Sequence, residues 1–162
     1  MDYEITVPAS MSLDLSGTNT SIDVRGVQGE IEAETVDGDV VVSGGTGRIS
    51  LESVQGRVIL SNARGKVDVS TVNQGIHLND VIGDVVAENV NGPIIMERVQ
   101  ATTVDAATVN GVIVYDGIIR DNGDYLLSTH NGNIWMVVPT GSNATVHVST
   151  YNGRLDTSFS VA

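Results

Sequence analysis

Three histidines, twenty acidic residues and no cysteine are what this chain of 162 residues offers for chemistry. Without thiols there is no disulfide framework, no thiolate metal site and no cysteine nucleophile. A nucleophile of another kind needs a base within hydrogen-bond reach and a group to orient that base. His77, His130 and His147 are scattered, with no HExxH or other pair at metal-ligand spacing. Gly44-Gly45-Thr46-Gly47 begins like a calcium-binding β-roll turn, G-G-x-G-x-D, but Arg48 and Ile49 follow and the aspartate ligand is missing. It reads as a tight glycine corner, and neither a metal nor a cofactor is expected.

What must position these side chains is a repeat of nine residues. The units GEIEAETVD, GDVVVSGGT, GRISLESVQ, GRVILSNAR, GKVDVSTVN, QGIHLNDVI, GDVVAENVN and GPIIMERVQ run without a gap from Gly29 to Gln100, with Gln74 in the place of glycine. One ten-residue unit follows, Ala101 to Asn110, before the register resumes at Gly111. Positions three, five and eight are apolar, as in Ile31, Ala33 and Val36, or Val67, Val69 and Val72. Positions three and five share one face of a strand because side chains alternate. Position eight is expected beyond a bend, turned back toward the same interior, so each nine is one short strand and one corner.

Alternate corners are alike: Thr35-Val36-Asp37-Gly38, Ser53-Val54-Gln55-Gly56, Thr71-Val72-Asn73, Asn89-Val90-Asn91-Gly92 and Thr108-Val109-Asn110-Gly111. The same corner recurs at Thr129-His130-Asn131-Gly132 and Thr150-Tyr151-Asn152-Gly153, now 21 residues apart. Two nines therefore make one coil. The predicted fold is all-β, a single-stranded β-solenoid of about seven coils with two parallel strands per coil. Most coils hold 18 residues and the C-terminal ones about 21, within one domain spanning residues 1–162. Gly, Asn and Asp at these corners suggest a left-handed backbone there. Stacking places like above like, so Asn73, Asn91, Asn110, Asn131 and Asn152 should form a side-chain ladder continued by Asp37 and Gln55.

The same register sorts the outward residues. On one sheet the fourth positions are Val41, Ile59, His77, Ile95, Val114 and Trp135; on the other they are Glu32, Ser50, Asp68, Val86 and Asp105. One face is apolar and the other acidic, and a continuous apolar stripe marks an interaction surface. Glu30, Glu32, Glu34, Glu52, Asp68 and Glu88 form an acidic face rather than a paired acid and base, and coils of 18 leave little loop to build a groove. No enzyme is expected. Arg48 and Lys66, between Glu30 and Asp84 in the ladder, are expected to neutralise part of that charge in weak surface pairs.

The net charge is −12 and no Lys/Arg cluster occurs, which argues against a nucleic-acid partner. No apolar run approaches a membrane span, and the opening MDYEITVPASMSLDL alternates like a strand. The pattern still running at Thr157-Ser158-Phe159-Ser160-Val161-Ala162 suggests a fragment of a longer protein.

The T-V-[DN]-G corners, spaced by G-[DRK]-[IV]-x-[VAL], resemble the adhesin-type β-solenoid family, a domain of unknown function in bacterial cell-envelope proteins. The opening Tyr3-Glu4-Ile5-Thr6-Val7-Pro8-Ala9 with Ser12-Leu13-Asp14-Leu15, and the closing repeats with Val137-Val138-Pro139, are similar as well. The resemblance implies an exported or cell-surface rod with no catalytic residues to carry over. The expected function is a non-catalytic structural or adhesive module acting through protein–protein contacts of its apolar face or rod ends. Alternatives are a self-assembling filament or scaffold subunit, an envelope-stress sensor binding cationic peptides and, last, a carbohydrate-active β-helix enzyme.

Overall fold

The computed structural model describes residues 4–157, so Tyr3 and the closing run from Ser158 to Ala162 lie outside the described residues. Among the described residues thirteen strands follow one another: β1 (Leu13–Gly17), β2 (Ile22–Val27), β3 (Ile31–Thr35), β4 (Val40–Gly44), β5 (Thr46–Ser53), β6 (Val58–Thr71), β7 (Ile76–Ile82), β8 (Val85–Asn91), β9 (Ile94–Asn110), β10 (Ile113–Asn131), β11 (Ile134–Val137), β12 (Thr145–Asn152) and β13 (Leu155–Thr157). Every pairing is parallel, and each strand lies one coil from its partner. The chain is a β-solenoid.

Two sheets face each other across the core. The acidic sheet stacks β1, β3, β5, residues 67–71 of β6, β8, residues 104–110 of β9, residues 124–131 of β10, and β12. The apolar sheet stacks β2, β4, residues 58–61, β7, residues 94–97, residues 113–116, β11 and β13. The long strands β6, β9 and β10 run round a corner and serve both sheets. Each sheet is eight strands deep, one coil more than the corner motifs announce. The additional coil is the first, whose corner Gly17-Thr18-Asn19-Thr20 lacks the motif yet receives the Asp37 N–H at the Thr18 carbonyl, 2.7 Å away. At one strand spacing per coil the stack is about 34 Å from first strand to last.

The core consists of stacked aliphatic columns. Ile49, Val67 and Val85 in one sheet and Val40, Val58 and Ile94 in the other are fully buried. Each such side chain contributes roughly 1.5–3 kcal/mol over its exposed state, and β-branched neighbours of similar shape above and below let the columns close-pack from coil to coil.

The two corners of a coil differ, and here the sequence expectation needs correction. After β4 and its equivalents the backbone turns left-handed at Gly26, Gly44, Asn62, Asp80 and Arg98, with φ between 53° and 114°. That turn breaks the strand alternation, and position eight then points inward, as Ala63, Val81 and Val99 do with no exposure. At the T-V-N-G corner the alternation simply continues. Thr35, Ser53, Thr71, Asn89, Thr108 and Thr129 are buried, and the valines that follow the first five point outward, with Val36 45% exposed. The Asn residues there are not left-handed. The glycines serve close approach instead, since a Cβ on Gly132 would collide with the Gly111 carbonyl one coil away.

The coils widen where residues 120–123 of β10 stand opposite the single residue Thr102 of β9. β10 departs from the β9 register after Asp116 and again between Ile119 and Asp124. Tyr115 and Tyr125 fill the larger cross-section, fully buried and edge to face, with ring centroids 5.6 Å apart. Tyr125 Oη donates to the Ala101 carbonyl at 2.7 Å and accepts the Arg120 N–H at 2.9 Å, while Tyr115 Oη donates to the Ile118 carbonyl at 3.2 Å. Burial pushes the Tyr115 hydroxyl pKa up, and both rings act as hydrogen-bonded packing.

Candidate interaction surfaces

The predicted apolar row is continuous. Val41 lies beside Ile59, Ile59 beside His77, His77 beside Ile95, Ile95 beside Val114 and Val114 beside Trp135, and the row is bounded by Asp23 at one end and Asp156 at the other. The first five are half-buried by their own neighbours. Trp135 stands out at 47% exposure. His77 interrupts the aliphatic run, and its Nε2 lies 3.1 Å from Glu97 Oε2.

The other sheet carries the row Asp14, Glu32, Ser50, Asp68, Val86, Asp105. Glu30, Glu32, Glu34, Glu52, Asp68 and Glu88 are all exposed. Arg48 and Lys66 do stack directly on one another, but neither makes an ion pair among the described residues. The pairs form elsewhere: Arg25–Asp23, Arg57–Asp39, Arg98–Asp80 and Arg154–Asp156. The Arg57 and Arg98 guanidinium groups hold the carboxyls of Asp39 and Asp80 below the usual range.

The corner asparagines form a hydrogen-bonded ladder. Each Nδ2 donates to the Oδ1 one coil earlier: Asn91 to Asn73 at 3.3 Å, Asn110 to Asn91 at 2.9 Å, Asn131 to Asn110 at 2.9 Å and Asn152 to Asn131 at 3.1 Å. Asp37 and Gln55 continue the stack through backbone contacts, such as Gln55 N–H to the Val36 carbonyl at 2.9 Å. A ladder whose amides satisfy each other in this way is structural. His130 is likewise taken up by packing, its ring stacked on Tyr151 at 4.9 Å and 2°.

Beside the ladder lies a surface that the repeat reading missed. The outward valines form a row, and a shallow groove of about 300 Å³ separates Val72, Val90 and Val109 from Glu52, Ser70 and Glu88. The signal was present: strict alternation through Ile31, Ala33 and Thr35 places Val36 outside.

The groove brings Glu52 and Glu88 to one concavity, two coils or about 9.6 Å apart by strand spacing. A glycosidase pair at that separation needs one carboxyl held protonated by its surroundings, whereas both of these are exposed. Among the described residues no group of three or more His, Asp or Glu could hold a metal ion, and no helix is long and apolar enough to cross a membrane. No protein-family model, no curated protein and no solved structure matches this chain.

Proposed function

We propose that the chain is a non-catalytic structural and adhesive module of the bacterial cell envelope that works through lateral protein–protein contacts of its apolar sheet. The observation that carries this reading is the row from Val41 to Trp135, six coils long, apolar but for His77 and ending in a half-exposed indole. Outward β-branched residues suit strands in general, but a tryptophan at the end of such a row supplies the large amphipathic anchor on which interfaces concentrate their energy. The envelope setting rests on the resemblance of the T-V-[DN]-G corners.

The contact partner in this reading is a second copy, sheet against sheet. Light scattering on the full chain tests it: the parent is expected to self-associate at micromolar concentration, and Trp135→Ala to weaken association by about 2 kcal/mol, roughly thirtyfold. A parent that stays monomeric, or a Trp135→Ala variant with the parent's mass profile, rejects the proposal.

A further inference from the structure

Five consecutive valines, Val36, Val54, Val72, Val90 and Val109, face outward at a corner where the fold requires no apolar side chain. The same position is Thr18 in the first coil and His130 and Tyr151 in the last two. Val36, Val90 and Val109 are 45%, 38% and 42% exposed. Threonine would satisfy the strand equally well and cost less in water.

The groove beside them has a definite chemistry. Its floor is Ser53, Thr71, Asn89 and Thr108, and each spends its polar donor on a carbonyl of the preceding coil: Ser53 on Gly38 at 2.8 Å, Thr71 on Gly56 at 2.9 Å, Asn89 on Gln74 at 2.7 Å and Thr108 on Gly92 at 3.2 Å. No floor donor is left to greet an anion, and the lining contains no aromatic ring on which a sugar could stack. What the groove does present is methyl groups along one wall and two carboxylates on the other. Glu52 and Glu88 make no ion pair among the described residues, although Arg25, Arg57, Arg98 and Arg154 pair with carboxylates elsewhere on the surface. Apolar surface next to unpaired negative charge is complementary to a cationic, amphipathic ligand.

Spacing narrows the ligand further. Two coils separate the glutamates by about 9.6 Å, and residues i and i+7 of an α-helix lie on one face about 10.5 Å apart. The coil step of about 4.8 Å is close to the helical pitch of about 5.4 Å, so successive turns of a helix laid along the rod meet successive coils. We infer that this groove docks a basic amphipathic helix of a partner protein, with two Lys or Arg residues seven positions apart on Glu52 and Glu88 and its apolar stripe on Val72, Val90 and Val109. The surface is distinct from the Trp135 row, which lies on the other sheet.

The test uses the full chain and a fluorescein-labelled helical peptide of Ala, Leu and Lys, with lysines at i and i+7 and leucines at i+3 and i+4. Anisotropy titration is expected to show saturable binding that weakens several-fold as salt rises across about 0.05–0.3 M. Glu52→Gln combined with Glu88→Gln should weaken it at least about tenfold, and Val90→Thr about threefold. Glu32→Gln with Asp68→Asn removes the same charge from the neighbouring row and should change affinity less than about twofold. Trp135→Ala should leave it unchanged. The inference is overturned by absence of saturable binding, by equal loss in the Glu32/Asp68 variant, which would reduce the effect to a diffuse acidic surface, or by loss in Trp135→Ala. All substituted side chains face outward, so circular dichroism should match the parent's.

Discussion

The two corners of each coil start from the same nine-residue pattern and end with opposite geometry. At one, Asn62, Asp80 or Arg98 takes a left-handed conformation, the alternation is reset, and position eight enters the core as Ala63, Val81 or Val99. At the other, Thr71 or Thr108 continues the alternation into the interior, and position eight is left outside as Val72 or Val109. The buried polar side chain is tolerated because it bonds the backbone of the preceding coil. A valine at position eight therefore carries no fixed meaning. The residue before it decides whether it is core or surface.

The largest expected effect comes from placing the same charge at position eight of each corner. Val81→Asp buries an unpaired carboxylate where the parent has no exposure, a cost of about 3 kcal/mol or more, enough to abolish a cooperative melt. Val90→Asp, at a site already 38% exposed, should cost under about 1 kcal/mol. Urea melts of the two variants measure the difference, and equal losses would mean that the corners are not distinct.

A smaller contrast tests position seven. Asn62→Val puts a β-branched residue at φ 55°, which L side chains resist by about 1–2 kcal/mol. Thr71→Val keeps shape and extended backbone and loses only the 2.9 Å bond to Gly56, worth about 1 kcal/mol. Thermal melts should rank Asn62→Val below Thr71→Val.

These corners also show how far the sequence could be read. The nine- and eighteen-residue periods, the two unlike sheets and the asparagine ladder all follow from stacking like on like, which leaves a repeating trace in residue identity. The orientation of Val36 does not, because valine, serine, threonine and asparagine suit both a strand and a turn, and the left-handed residue that separates the corners varies from Gly44 to Arg98. Asn at a turn drew attention to the wrong corner; Asn73 earns its place by its amide, whereas Asn62 earns it by its backbone. The first coil leaves no such trace because its corner, Gly17-Thr18-Asn19-Thr20, lacks the motif. The widened coils were visible as spacing, but their cause was not: Tyr115 and Tyr125 occupy ordinary core positions, in register with Met96 and Val104, and nothing in that placement showed that the two rings would meet edge to face across the core. The valine groove was hidden by the same misassigned parity.

The smallest expected effect is acid sensitivity, with one ion pair near each corner. Asp39 follows the T-V-D-G corner and meets Arg57 at 2.7 Å, and Asp80 sits at the left-handed corner with Arg98 at 2.9 Å. In both, the hydrogen bond from the arginine lowers the carboxyl pKa in the folded state. A carboxyl whose folded value lies below its unfolded one contributes stability that is fully present above the unfolded value and is lost as the pH falls through the folded value. The window therefore lies below about pH 4. Because both pairs are largely exposed, solvent screens them, and the Asp39 pair should contribute less than about 1 kcal/mol. The melting temperature should hold level from pH 7 to about 5 and fall below about 4, with Asp39→Asn and Asp80→Asn each flattening part of that fall. A melting temperature that rises on acidification below that window would show that repulsion among the twenty acidic residues outweighs the two pairs.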